Sequence, residues 1–202
     1  NNHAISEASF LWAAAVLVPD LPGAGRLRRR AAGALTEAVE DQFAADGSYS
    51  QHSPTYQRVA MQMLLWVLAV SRADGSPPPD GVAAALTRGA GHLRSLLVPD
   101  GDGRIPKLGH DDGAHVLPLT TRPQDDFRPL LVHARAAVGS GTNLDPGPWD
   151  DEAAWFGLEA RRSWAPSLVF GASTRAMTVD DTHVVFRAGP FSHRPAHADQ
   201  LH

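Results

Sequence analysis

The chain has 202 residues, 43% of them hydrophobic, a net charge of −4 and no cysteine. That length holds one domain, or one and part of another, around a real core. The missing cysteines exclude disulfides and thiolate chemistry. Scattered Lys and Arg under a negative net charge argue against a dedicated nucleic-acid binder, and no apolar run reaches the roughly 18–20 residues of a membrane span.

Residues 4–18 are almost continuously apolar and predict a helix ended by Pro19 and Pro22. Residues 24–43 predict an amphipathic helix, with Leu27, Ala31, Leu35, Val39 and Phe43 spaced by four. Its run Arg26-Leu-Arg-Arg-Arg30 reads as a solvated outer face. Residues 54–72 are apolar nearly all round and predict an interior helix, broken by Asp74-Gly-Ser-Pro-Pro-Pro-Asp80. A second two-faced helix is predicted over 81–97, then turns from Pro99 to Gly103, then shorter helices near 126–138 and 150–160. This alternation of buried and two-faced helices predicts paired inner and outer helices, as in an α/α toroid or an α-solenoid. After about residue 165 the pattern becomes β-rich. Ser167-Leu-Val-Phe170, Ala176-Met-Thr-Val179 and Thr182-His-Val-Val-Phe-Arg187 read as strands, with Asp180-Asp181 between the last two. So few strands cannot form a stable sheet alone. They read as the opening of a β domain. With an Asn-Asn-His start, the chain reads as an internal piece of a longer protein.

Four polar clusters carry the candidate chemistry. Asn2-His3 opens the first helix, with Glu7 one turn on from His3 and on the same face. The bland reading there is a capping Asn followed by a surface His. The second cluster is Asp46-Gly-Ser-Tyr-Ser-Gln-His-Ser-Pro-Thr-Tyr-Gln-Arg58, which holds the only two tyrosines, Tyr49 and Tyr56. Asp46-Gly47 marks a turn, and Ser53-Pro54 marks a helix start with Ser as N-cap. Tyr56 then falls in a first helical turn, where free N–H groups and the helix dipole favour negative charge. A phenol there is suited to exchanging protons, although such a Tyr more often packs sideways and binds water. The third cluster, Gly109-His-Asp-Asp-Gly113, reads as a structural or substrate-facing loop. Turn formation, a cation site and paired carboxylates for glycoside hydrolysis are its other readings. The fourth, His193-Arg-Pro-Ala-His-Ala-Asp-Gln-Leu-His202, offers three His and an Asp for a metal, with His197 and Asp199 on one face of a strand.

In this order the four clusters resemble the heparinase II/III family of polysaccharide lyases, including the alginate and oligoalginate lyases. The resemblance implies a mainly α chain: part of an incomplete (α/α) toroid over residues 1–162, followed over 163–202 by the first strands of an antiparallel β-sandwich. It implies β-elimination on a uronic-acid-containing polysaccharide or oligosaccharide, in a secreted or periplasmic protein. Asn2 and His3 would neutralise and position the uronate carboxylate. Tyr56 would transfer protons, as acid to the leaving oxygen and as a candidate base. Gln51, His52, Arg58, Glu7 and His193 are candidate substrate contacts. Relatives carry His-x-His-x-Asp, the first His catalytic and the second bound to a structural zinc. Here the aligned residues are Pro195, Ala196, His197, Ala198 and Asp199. His197 matches the metal position and the catalytic His is replaced by Pro195, which shifts proton transfer toward Tyr56. The proton-transfer step itself requires no cofactor. Rival readings are a glycan-binding protein that has lost catalysis, an (α/α)-toroid glycoside hydrolase using Asp111 and Asp112, and a helical scaffold with no small-molecule site.

Overall fold

In the computed structural model the described residues are 1–98 and 102–162, with the backbone of Thr178–Val179 and Val184–Val185. Among the described residues six α-helices run in order: α1 (Asn2–Leu17), α2 (Ala24–Gln42), α3 (Pro54–Asp74), α4 (Val82–Ser95), α5 (Arg128–Ala137) and the short α6 (Asp151–Trp155), which a 3-10 turn at Pro148–Asp150 leads into. α1 packs on α2 and α3, α3 also packs on α4 and α5, and α6 rests on α5.

α3 is the central helix. Its N-cap Ser53 accepts the Tyr56 N–H, Pro54 sits in its first turn, and Gly75 ends it in the left-handed conformation. Tyr56, Val59, Ala60, Met61, Met63, Leu64, Leu65 and Val67 are all buried, so the helix is enclosed as its composition predicts. α2 is two-faced. Ala31, Leu35 and Val39, with Phe43 just beyond its end, enter the core, while Arg26, Arg29 and Arg30 stay exposed. α1 departs from the reading of a wholly apolar helix. It buries Ile5, Ala8, Trp12 and Val16 against its neighbours but leaves Phe10 59% and Leu17 56% exposed, because α2 and α3 cover only one side of it. The Trp12 Nε1–H donates to Ser71 Oγ at 3.1 Å and joins α1 to α3.

The last helix departs from the sequence reading. α6 is shorter than the predicted 150–160. The Phe156 and Gly157 N–H groups bond back to Ala153 and Ala154, tightening the chain into a turn that ends the helix. Residues 102–127 carry no regular element at all and run as a long irregular strip. Its far end is knotted by Asp126, which accepts hydrogen bonds from Arg122 Nε (2.8 Å) and from Arg128 Nε (2.9 Å) and Nη2 (2.7 Å). Burial alone would push the Asp126 carboxyl up; the hydrogen bonds from Arg128 and Arg122 outweigh it, and the group ends below its ordinary range.

The β-rich region is described only where Thr178 pairs with Val185 and Val179 with Val184, antiparallel, within the second and third predicted strands. The rest of the expected sandwich start, with His193 and His197, lies outside the described residues. The zinc expectation rests on that region. Among the described residues no group of three or more His, Cys, Asp or Glu could hold a metal ion, and no helix is long and apolar enough to cross a membrane.

One buried polar knot makes stability depend on pH. On α3, Gln57 Nε2 donates to the Gly47 carbonyl (2.9 Å) and the Gly89 carbonyl (3.3 Å), and its Oε1 meets His92 Nδ1 of α4 at 3.0 Å. Burial pushes the His92 ring down to about 4, against the opposing charge of Asp46. A His that binds its proton more weakly when folded than when unfolded contributes stability that is complete above the unfolded value, near 6.5, and is lost as pH falls toward the folded one. Lowering the pH from 7 to about 4 should therefore remove on the order of 3 kcal/mol through this residue. Urea midpoints across that range should fall much less for His92→Gln than for the parent. An equal fall would mean that His92 is not the group that titrates.

Candidate active site

The tyrosine segment is assembled from three directions. It begins with the turn at Asp46, whose Oδ1 accepts the Ser48 N–H (2.9 Å) and O–H (2.7 Å). It ends at the α3 cap, where the Ser53 Oγ accepts the Tyr56 N–H at 3.1 Å and its own O–H donates to the His110 carbonyl at 2.6 Å. Between them Gln51 turns inward, only 5% exposed, and its Oε1 accepts the backbone N–H of Asn2 at 2.8 Å. The first turn of α1 and the approach to α3 are thus bonded together.

The two tyrosines are not equivalent. Tyr49 is 2% exposed, donates its O–H to Gln42 Oε1 at 2.8 Å, and packs its ring 5.1 Å from Phe43. Burial pushes its phenol far above the ordinary range, so it stays neutral and structural. Tyr56 lies in the first turn of α3 with its O–H donating to the Asp112 carboxylate of the Gly109–Gly113 loop. That loop fits against the α3 entrance without slack: at Gly109, φ is +65° and a Cβ would stand 2.7 Å from the His52 carbonyl oxygen.

The same side of α3 then holds the rest of the irregular strip. Arg58 donates through Nη2 to the Ala114 carbonyl at 2.9 Å and through Nη1 to the Gln124 carbonyl, with Phe127 under its guanidinium at 4.9 Å. Gln62 Oε1 accepts the Val116 N–H at 3.1 Å, while its Nε2 donates to the Leu117 carbonyl at 3.2 Å. Burial pulls the Arg58 guanidinium below its usual value, opposed by Asp111, Glu152 and Asp125. Beside Arg58 opens a cleft of about 460 Å³, lined among others by Arg104, Lys107, Asp111 and Asp125, with Arg104 Nε 3.4 Å from the Asp125 carboxylate.

The other expected site residues are placed as follows. Asn2 is not the N-cap, which is Asn1. It is the first helical residue, 9% exposed, and its side-chain Oδ1 is buried with no hydrogen-bond partner, as is Gln51 Nε2. Both atoms lie on residues already joined by the Asn2 N–H bond to Gln51 Oε1. His3 and Glu7 are both exposed, and among the described residues no ion pair joins them. His52 has a left-handed backbone, φ 54°, uncommon for a residue with a side chain, and burial lowers its affinity for a proton. Asp111 turns its Oδ1 back onto the Gly113 N–H at 3.1 Å, so the adjacent carboxylates of Asp111 and Asp112 serve different partners.

Three contributors escape sequence reasoning: Gln57, Gln62 and the direct Tyr56–Asp112 bond. The only signal was the presence of amides on an otherwise apolar helix. Ser53 allows a direct test of how the loop is held. Ser53→Ala removes both the helix cap and the bond to His110, and should cost about 1–2 kcal/mol. Amide exchange over residues 109–113 should rise along with that loss. Lost stability with unchanged exchange in the loop would show that Ser53 acts only as a cap.

No curated protein and no solved structure matches the chain. Residues 1–100 match the family described as Heparinase II/III N-terminus. This stretch includes α1 to α4, Asn2, Gln51 and Tyr56, and the match over it makes the chain a member of the heparinase II/III family.

Proposed function

We propose that the chain carries the helical, catalytic side of a polysaccharide lyase that cleaves uronic-acid-containing glycans by β-elimination. The observation that supports this best is the hydrogen bond that joins the first turn of α1 at Asn2 to Gln51, five residues before Tyr56, with the Gln51 Nε2 donor buried and unpartnered.

The chemistry asks for such a grouping. The reacting proton sits on carbon 5 of a uronate, next to a carboxylate whose charge opposes a second negative charge. Donors that hold this carboxylate lower that barrier. The amide N–H groups of Asn2 and Gln51 are suited to it, and His3 is exposed in the same turn. As carbon 5 loses its proton the bond from carbon 4 to oxygen breaks, a double bond forms between carbons 4 and 5, and Tyr56 protonates the departing oxygen. The cleft beside Arg58 leaves room for a sugar chain, with Lys107 suited to a further carboxylate and Arg104 already paired with Asp125. Arg58 itself shapes that wall, since its terminal nitrogens are engaged with main-chain carbonyls.

The test is to incubate the complete protein with uronate polymers and follow the ultraviolet absorbance of the conjugated product. Unsaturated ends are expected. Saturated products would favour the hydrolase reading, and binding without turnover would favour a glycan-binding protein.

A further inference from the structure

We propose that Asp112 is the positioning residue of Tyr56, holding its phenol oriented and proton-bearing for delivery to the leaving oxygen; this rests on the lyase reading. An ionised carboxylate can only accept a hydrogen bond. The proton between Tyr56 and Asp112 is therefore the phenol's own, and Tyr56 waits in the form that a proton donor requires. Asp112 is exposed while Tyr56 is 7% exposed, so their bond lies where the buried helix end meets solvent.

The loop is built to keep the carboxylate there. Ser53 ties the His110 carbonyl at 2.6 Å, Asp111 closes a turn onto the Gly113 N–H at 3.1 Å, and the Gly113 carbonyl accepts the Gln124 Nε2–H at 2.6 Å. Arg58 ties the Ala114 carbonyl at 2.9 Å, and Gly109 abuts the His52 carbonyl. Ser53, Tyr56 and Arg58 belong to the cap and first turns of one helix. The residue that gives the proton and the residues that place its acceptor are thereby fixed to a common frame, the condition under which a catalytic group keeps its geometry.

During elimination a general base other than Tyr56 takes the carbon 5 proton. The electrons of that bond form the double bond, and those of the bond from carbon 4 to oxygen leave with the oxygen. The Tyr56 O–H turns from Asp112 to this oxygen and protonates it. The phenolate left facing the Asp112 carboxylate regains a proton from water, and the protonated base gives its proton back to water. No other reactant is consumed.

The experiment compares the parent with Asp112→Ala, Asp112→Asn and Asp112→Glu in the complete protein. One substrate is a uronate polymer. The other is a uronide with 4-nitrophenoxide on carbon 4, whose departure needs no proton. With Asp112→Ala, kcat on the polymer should fall about 10–100-fold with KM nearly unchanged. Turnover of the nitrophenyl substrate should stay near the parent rate, and Asp112→Glu should recover part of the polymer rate. If Asp112→Ala does not fold, as judged by its urea midpoint, Asp112→Asn supplies the same reading, because it keeps the shape and removes the charge. An unchanged polymer rate overturns the inference while the lyase reading stands. So does an equal loss on both substrates, the mark of a merely structural role. A folded parent that yields no unsaturated product from either substrate overturns the lyase reading and the inference with it.

Discussion

Tyr56→Phe should abolish measurable elimination while leaving the fold intact. General acid catalysis by a positioned side chain contributes about 10²–10⁴-fold, and losing the phenol removes that whole factor from kcat. The structural cost is small by comparison. The lost hydrogen bond runs to Asp112, which is exposed and can turn to water, so about 1 kcal/mol or less is expected. Tyr49→Phe is the natural contrast, because the two tyrosines stand seven residues apart and do different work. It leaves Gln42 Oε1 without its donor in a buried site and should cost about 1–3 kcal/mol, with turnover retained in the folded fraction. Paired measurements of kcat and urea midpoint separate the outcomes. If Tyr49→Phe lost as much activity as Tyr56→Phe, or if Tyr56→Phe kept the parent rate, the assignment of proton transfer to Tyr56 would be wrong.

That contrast also marks what the sequence made legible. Ser53-Pro54 announced the start of α3 because a cap hydroxyl and a ring-fixed φ act locally, and this singled out Tyr56. The spacing of Leu35, Val39 and Phe43 announced the buried side of α2 for the same local reason. The residues that hold residues 109–117 in place could not be read this way. Arg58 and Gln62 bond to main-chain groups more than fifty positions away, and a backbone carbonyl leaves no trace in residue identity. Arg58 reads from the sequence as a cation for a sugar acid; in the fold its terminal nitrogens clamp two stretches of chain. His3 and Glu7 are four apart and share a face, as periodicity requires, yet that face is exposed and their spacing produces no ion pair among the described residues. Family resemblance located the segment, while the Asp112 partner of Tyr56 emerged only from the fold.

Gly47→Ala should be the most damaging single methyl added near the site. Gly47 has φ +83°, and a Cβ there would lie 2.0 Å from the Arg88 carbonyl oxygen and 2.4 Å from its carbon, atoms of the α4 backbone that cannot swing aside. Gly75 provides the measure of conformational strain alone. Its φ is +69°, but a Cβ there meets nothing within 4 Å. Gly75→Ala should therefore cost about 1–2 kcal/mol, the ordinary penalty of a left-handed alanine. Gly47→Ala adds the collision and should reach about 3–5 kcal/mol. Relief requires the turn to back away from α4. That would pull the Gly47 carbonyl from Gln57 and strain the Arg88 Nε–H bond to the Ala44 carbonyl, found at 3.2 Å. Because Gln57 follows Tyr56 directly and also meets His92 of α4, the disturbance enters α3 at the turn that aims the phenol. Gly47→Ala should consequently lower kcat in the molecules that remain folded, whereas Gly75→Ala, at the far end of α3, should leave it unchanged. Equal urea midpoints for the two variants would show that strain and not close approach governs Gly47. A Gly47→Ala protein with full turnover would show that the Tyr56 turn is aimed independently of the α4 contact.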